Sequence, residues 1–338
     1  MASLDIFNND AFSVTSLVGV INDIPEIPTQ IGDEGLFEEY GISTTIVFLQ
    51  RTGSGVSLVP AQARGGPGQP PARRDRKRIP VEILHLPQSG GIDADQVQGV
   101  VGDNTESEVA QVSDLVRDEL KRMKDDMDLT KEHLRIGAIK GKVMDADGVT
   151  ELYDLYEIMG FTQEVVPFNI DNPASAADPK LMAQNLRELI RKKLGGKSFK
   201  GIMIRASLTW FQKFTLHNNM KKAWELWNAG QYNRVDQTQA DFVWLGDIII
   251  RIYSGGTDQG DFIPEDTAYA YPLGVAGLFK TAYGPANYIE TVNKKGLPYY
   301  AKAKVRDFET GVDFQAQANP FMYNTLPETV IKLTTAAS

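Results

Sequence analysis

The chain has 338 residues, no cysteine, a formal net charge of −9 and a hydrophobic fraction of 42%. This length allows two compact domains with extensions, and the missing cysteines exclude disulfides, thiolate metal sites and cysteine nucleophiles. The apolar run at residues 11–21 is too short to span a bilayer and follows no basic residue. We therefore expect no signal peptide, no membrane association and synthesis in the cytoplasm.

Charge is unevenly distributed over the first 80 residues. Residues 1–50 contain eight acids and no Lys or Arg, whereas residues 51–80 contain seven basic residues and one acid. Such asymmetry indicates charge-driven pairing, either within one chain or between subunits. The candidate interface residues are Glu26, Asp33, Glu34, Glu38, Glu39, Arg51, Arg64, Arg73, Arg74, Arg76, Lys77 and Arg78.

Residues 1–40 are predicted to form an arm. Pro- and Gly-containing stretches at 23–28 and 32–35 interrupt it, and no helix or strand pattern persists for long. Its apolar residues need cover that a free tail would not provide. We therefore expect the arm to be docked rather than disordered.

A long hairpin is predicted next. Residues 43–49 and 79–86 have the composition of strands, and residues 51–78 between them are rich in Gly, Pro and Arg. A structureless segment of this length is usually functional or disordered. It is a solvated tip, a basic loop for nucleic acid, or a loop that pairs with acidic surfaces of a neighbouring subunit. We favour the last, because the segment lacks aromatic residues that stack on bases.

The longest predicted element is a helix over residues 104–141. Thr105 and Glu108 match a capping box at its start. Apolar residues then recur at steps of three, four and seven, and charged residues fill the remaining positions. We expect a spine lying across a sheet, with one apolar stripe covered and the charged face in water. A coiled-coil arm is the alternative.

The C-terminal half alternates short elements. Asp178-Pro179 marks the start of one helix, and either Ser207 or Thr209 marks the start of another. Those helices are predicted to end at Gly195-Gly196 and Gly230. Strands are predicted over 152–156, 165–170, 199–206, 242–245, 248–253, 267–273, 299–308, 312–318 and 329–334. Helices and strands without a regular βαβ rhythm favour an α+β fold.

No motif indicates catalysis or metal binding. Gly196-Lys197-Ser198 lacks the first glycine of a phosphate-binding loop and follows a helix instead of preceding one. Residues 145–148 lack the spacing of a calcium loop and are predicted to be a surface turn. His85, His133 and His217 have no second ligand at metal spacing.

Three acids on the long helix are the remaining candidates. Asp125, Asp126 and Asp128 lie on its charged face, where adjacent side chains diverge, so we expect solvated charges. The sequence therefore predicts no catalytic residue, no cofactor and no metal.

Two stretches resemble a known family. Gly246–Gly255, followed by Phe262–Asp266, is similar to the Gly-Asp, apolar strand, Tyr-Ser-Gly and Phe-Leu-Pro-Asp stretch of the lambda-type major capsid protein E family of tailed bacteriophages. Leu134–Gly141 is similar to the end of that family's spine helix. The order of elements also resembles that family, which has the HK-ninety-seven-like capsid fold.

The resemblance implies an α+β fold with four parts. These are an N-terminal arm (1–42), an E-loop hairpin (43–92), a peripheral domain (93–174, completed by 299–318) and an axial domain (175–298, completed by 319–338). It implies a non-enzymatic major capsid protein whose pentamers and hexamers form an icosahedral virion shell, assembled in the host cytoplasm. The shell would enclose double-stranded DNA without sequence-specific binding. Scaffold, portal and decoration proteins would be separate partners.

Two other functions stay open at this point. A nucleic-acid-binding module would use the arginines at 73–78, and an enzyme would need a site that no motif identifies. The overall acidic balance suits a container, because basic contacts that release counterions would make DNA adhere to the inner face. If the arm and loop pair through charge, assembly should be salt-sensitive.

Overall fold

The computed structural model describes residues 14–52, 76–98, 108–195, 197–222, 241–244, 246–257 and 260–336. In those residues the α-helices are Val14–Asp23 (α1), Ala94–Gln98 (α2), Glu108–Lys140 (α3), Leu155–Met159 (α4), Pro179–Lys193 (α5) and Leu208–Leu216 (α6). Residues 218–222 are also helical. Within the same ranges no helix is both long and apolar enough to cross a membrane.

The strands are named in chain order. They are Glu38–Gly41 (β1), Ile46–Thr52 (β2), Arg76–Glu82 (β3), Leu86–Asp93 (β4), Lys142–Met144 (β5), Glu151–Asp154 (β6), Glu164–Pro167 (β7), Gly201–Ala206 (β8), Asp241–Trp244 (β9), Ile248–Ile252 (β10), Gly256–Thr257 (β11), Gly260–Asp261 (β12), Thr267–Leu273 (β13), Phe279–Tyr283 (β14), Tyr300–Val305 (β15), Gly311–Ala318 (β16), Pro320–Asn324 (β17) and Ile331–Thr334 (β18).

The chain divides into two units. Unit 1 comprises Met1–Val47, Pro80–Glu132 and Lys280–Met322, and unit 2 comprises Phe48–Ile79, His133–Phe279 and Tyr323–Ser338. Each unit therefore combines segments that are far apart in sequence.

Unit 1 contains an antiparallel sheet in the order β15-β16-β4. Side chains alternate along β16, so that Val312 and Phe314 are buried whereas Asp313 and Gln315 are exposed. The buried face packs against α1 and the apolar stripe of α3, including Leu120. The spine thus lies across a sheet, as the sequence predicted, and the coiled-coil alternative is wrong.

A glycine sets how closely α3 approaches this sheet. A Cβ built on Gly90 of β4 would collide with Oε1 of Glu119 and Cε of Met123 on the helix. Any side chain at position 90 would therefore displace both of these side chains.

Unit 2 is built on a six-stranded sheet in the order β7-β18-β13-β8-β10-β9. Its central strand β8 is buried at every position. Helices α5 and α6 contribute Leu186, Ile190 and Trp210 to the core of this unit, where the ring of Trp210 stacks on Phe214 at 5.1 Å.

Local sequence signals predicted the positions of several helices, strands and turns correctly. Asp178 caps α5 by accepting from the backbone nitrogens of Lys180 and Leu181, and Ser207 caps α6. The predicted hairpin around Gly246 is the antiparallel pair β9–β10. The turn at residues 145–148 is confirmed by the bond from the nitrogen of Gly148 to the oxygen of Asp145 at 3.0 Å.

Four predictions of secondary structure were wrong in part. The helix predicted to run to residue 230 is interrupted at His217, which has a ψ of 131° and whose Nε2 bonds the hydroxyl of Ser175 at 2.9 Å. Residues 218–222 are helical again, and the predicted end at Gly230 lies outside the described residues. The strand predicted over 152–156 gives way to α4, since the side chain of Asp154 caps a helix there. The arm contains α1, which no pattern had indicated. The strand predicted over 299–308 ends at Val305.

Candidate assembly surfaces

The charged face of α3 carries a second, buried stripe. Lys124, Asp128, Lys131 and Arg135 recur at steps of four, three and four, and all four are buried. Lys131 is 0% and Asp128 3% exposed. The expectation of a solvated Asp128 and of a wet charged face was therefore wrong for this part of the helix.

Residues 24–31 cover this stripe and bond to it. Pro25 and Pro28 keep the segment out of regular structure, so its backbone groups need partners elsewhere. The nitrogen of Ile27 donates to Oδ2 of Asp128 at 3.2 Å, and Nζ of Lys124 donates to the carbonyl of Ile24. The docked arm expected from the sequence is confirmed for these residues.

Tyr299 of unit 1 completes the buried network. Its hydroxyl accepts from Nζ of Lys131 at 2.7 Å and donates to Oδ1 of Asp128. Burial raises the pKa of Asp128, and burial together with the neighbouring Asp128 carboxylate raises the pKa of the Tyr299 hydroxyl. The lysine ammonium also contacts Oε1 of Glu26 at 3.2 Å. Glu26 therefore has a partner within its own chain.

The other predicted acidic residues lie on the surface just after the anchored segment. Asp33 and Glu34 are exposed in a turn, and Glu38 and Glu39 are exposed on β1. The carboxylate of Glu38 forms an ion pair with Nζ of Lys280 at 3.5 Å. The structure thus groups four of the predicted acids along one exposed segment.

The structure describes only some of the predicted basic residues. Arg51 belongs to β2, and Arg76, Lys77 and Arg78 belong to β3, which pairs with β2 in a two-stranded sheet. The side chain of Arg78 is exposed. The side chains of the other three, and the whole of the remaining predicted basic residues (Arg64, Arg73 and Arg74), lie outside the described residues.

The histidines occupy separate places. His85 contacts Oδ1 of Asn319 at 2.8 Å, and Nε2 of His133 contacts the carbonyl of Met144 at 3.1 Å. Burial lowers the pKa of both His133 and His217. Among the described residues no group of acids or histidines could hold a metal ion.

Comparison with known proteins identifies the family. The sequence model of the phage major capsid protein E family matches residues 13–335. The chain belongs to that family. This capsid protein is 24% identical to the major capsid protein of Salmonella phage Felix O1 (isolate Felix O1-VT1), over 95% of each chain.

Solved structures agree on the fold. The putative capsid protein of a prophage of E. coli CFT073 matches with a TM-score of 0.58 at 13% identity, covering 96% of this chain and 99% of that one. A phage-related protein from Bordetella bronchiseptica RB50 matches with a TM-score of 0.52 at 12% identity, covering 97% and 99%. The capsid protein therefore has the HK-ninety-seven-like α+β fold that the resemblance implied.

Family membership decides between the functions left open. The chain is a structural, non-enzymatic protein that self-assembles into the shell of a phage virion. Neither a nucleic-acid-binding module nor an enzyme is supported. The buried stripe of α3 is the feature that sequence reasoning missed. Its helical periodicity is visible in the sequence, but its burial is not, because residues 24–31 cover it.

Proposed function

We propose that this capsid protein forms pentamers and hexamers of an icosahedral shell around double-stranded DNA. The family match over residues 13–335 carries the proposal. The arm (1–42) and E-loop (43–92) would cross between subunits, while the peripheral domain (93–174 with 299–318) and the axial domain (175–298 with 319–338) form the shell wall. Assembly would take place in the host cytoplasm with separate scaffold, portal and decoration proteins.

The arm and the E-loop are proposed to pair through opposite charge. The exposed acids at 33–39 follow a segment that is held in place by a partly buried hydrogen bond to Asp128 and a buried one to Glu132. The E-loop strands present Arg78 to solvent. Complementary charge on two such extensions supports recognition and register between subunits more than raw affinity.

Charge reversal tests this pairing. Asp33→Lys and Arg78→Glu should each slow assembly at low salt, and the double variant should recover part of the wild-type rate. Arg117→Glu, an exposed position on α3, is the charge-matched control. Light scattering and electron microscopy at low and high salt provide the measurement. Shells that form at the wild-type rate in both single variants would refute the pairing while leaving the shell itself established.

The inner face of the shell is proposed to enclose DNA without binding it tightly, in keeping with the net charge of −9. Empty shells mixed with double-stranded DNA fragments at low and moderate salt should retain little DNA. Strong retention that falls steeply with salt would show a basic inner face and contradict this part of the proposal.

A further inference from the structure

The turn between β15 and β16 exposes an aromatic side chain. Phe308 is 97% exposed, with φ 62° and ψ 16°. Few non-glycine residues adopt this left-handed conformation. Asp307 is exposed beside it, and Glu309 follows in the sequence. The tip therefore presents a large apolar ring on an acidic turn.

This turn is held at its base. Nε of Arg306 bonds Oδ1 of Asp313, and Nη1 of the same guanidinium bonds Oδ1 of Asp93 on β4. The nitrogen of Arg306 also donates to the carbonyl of Gly311 at 2.9 Å. One guanidinium just after β15 thus binds both of the other strands of this sheet, β16 and β4. A tip that is already ordered loses little conformational entropy on binding.

The sheet that carries this turn also has a groove of about 750 Å³. Its lining includes Ser89, Tyr288, Ala303, Lys304 and Gln315. The hydroxyl of Tyr288 is fixed by a bond to the carbonyl of Gln315 at 3.0 Å, and Lys304 is exposed. The groove therefore combines the ring of Tyr288 and the methyl group of Ala303 with an accessible cation. The carboxylate of Asp313 also lines it and is bound by Arg306 of the same chain.

We propose that Phe308 of one copy enters this groove of a second copy. An aromatic anchor packed among aromatic and aliphatic side chains is the usual centre of a protein interface. Asp307 beside the ring would then face Lys304 of the receiving copy. Self-assembly of the family supplies the second copy, and the contact does not depend on the arm–loop pairing proposed above.

The tip does not fill the groove of its own chain, since Phe308 is 97% exposed. Gln315, which lines the groove, is four residues from Gly311 on β16 and therefore lies about 13 Å along the strand from the turn. Each copy therefore both donates a tip and accepts one. Such a contact is heterologous and either closes into a ring or propagates from copy to copy.

Crosslinking gives the direct test, because the chain has no cysteine of its own. The double variant Phe308→Cys/Gln315→Cys is assembled and then treated with a short bismaleimide. The distance along β16 prevents a link within one copy, so the expected product is covalent dimers and longer ladders on a denaturing gel. Val149→Cys/Gln315→Cys is the matched control, since Val149 is 81% exposed on a different turn.

The outcomes separate this contact from assembly in general. Shells that form from the double variant but yield only monomers on the gel would overturn the tip-in-groove contact and leave self-assembly intact. Crosslinking of the single variant Phe308→Cys would show tips meeting each other at a symmetry axis, which also overturns it. Ladders in the double variant alone support it.

A charge exchange gives an independent measurement. Asp307→Lys and Lys304→Glu should each slow shell formation about tenfold, and the double variant should restore the wild-type rate. Both side chains are exposed, so the fold of the subunit should be unaffected, as circular dichroism would verify. Equal rates in wild type and both single variants would contradict the proposed pair.

Discussion

The backbone nitrogen of Ile31 donates to Oε1 of Glu132 at 2.8 Å, a buried bond between residues 101 positions apart. Asp128 accepts from Ile27 one helical turn earlier. Two carboxylates of the spine helix thus satisfy backbone groups of a segment that makes no helix or sheet of its own. The charged stripe serves to fix the arm.

Removing one of these carboxylates should loosen the arm. Glu132→Ala leaves the buried nitrogen of Ile31 without its acceptor and should cost about 2–4 kcal/mol of unfolding free energy. Hydrogen exchange at the amides of residues 27–31 and denaturant unfolding of the unassembled subunit provide the measurement. Asp118→Ala, an exposed acid on the same helix, should stay within about 0.5 kcal/mol. An unchanged exchange rate at Ile31 would rule out the capping role.

The hydroxyl of Tyr299 should contribute more to stability than that of Tyr288. Tyr299→Phe keeps the packing but removes the group that bridges Lys131 and Asp128, so we expect a loss of about 2–4 kcal/mol. The matched control is Tyr288→Phe, whose hydroxyl donates to one carbonyl at 3.0 Å, with an expected loss of about 1 kcal/mol. Thermal melts of both variants provide the measurement, and equal losses would show that the buried network adds nothing.

A close approach of backbones should make Gly296 irreplaceable. Its nitrogen donates to the carbonyl of Ile42 at 2.8 Å, and a Cβ there would collide with the carbonyl of Tyr283. Because only backbone atoms stand in the way, Gly296→Ala should cost more than about 3 kcal/mol. A Cβ added to Gly19 on α1 would meet no atom within 4 Å, so Gly19→Ala should stabilise the subunit by up to about 1 kcal/mol. Similar melting temperatures in the two variants would contradict this expectation.

Lys140 should give the stability of the subunit a characteristic pH dependence. Burial, with the nearby charge of Lys332, lowers the pKa of Lys140 from 10.5 to about 8. Between those two values the unfolded chain holds a proton that the folded chain has released, so the free energy of unfolding should rise with pH. The expected slope is at most about 1.4 kcal/mol per pH unit.

The variant Lys140→Met isolates this effect. It should lack the rise that the wild type shows between about pH 8 and 9.5, as urea unfolding at several pH values would measure. Lys142→Met serves as control, because its ammonium lies at the surface beside Glu151. If the free energy of unfolding depends on pH in the same way in the wild type and in the Lys140 variant, this lysine is not desolvated.

The elements that the sequence predicted well are those with local causes. Helix α5 has its cap at Asp178 and its apolar stripe within one continuous segment, and the hairpin β9–β10 turns at Gly246, whose φ of 88° suits glycine. Each of these signals lies within or directly beside the element that it specifies. The spine helix was likewise predicted from its own periodicity. It is described from Glu108 to Lys140, and the predicted capping residue Thr105 lies outside the described residues.

The features that were missed depend on distant segments. Residues 24–31 lie far earlier in the chain, and they decide whether Lys124 and Lys131 face water or protein. The helical periodicity of α3 does not show that these residues cover it. The break at His217 depends in the same way on Ser175. The structure describes some of the candidate interface residues but does not show how they pair. A contact between two copies leaves no periodic pattern in the sequence of one chain.

The position of β18 has a consequence for chains that are made incompletely. This strand, Ile331–Thr334, lies between β7 and β13 and pairs with both. A polypeptide stopped by premature termination before residue 331 would leave β7 detached and one side of β13 open to water. Such a fragment could not complete its sheet, so we expect the order of strands to act as a check that keeps truncated subunits out of the growing shell.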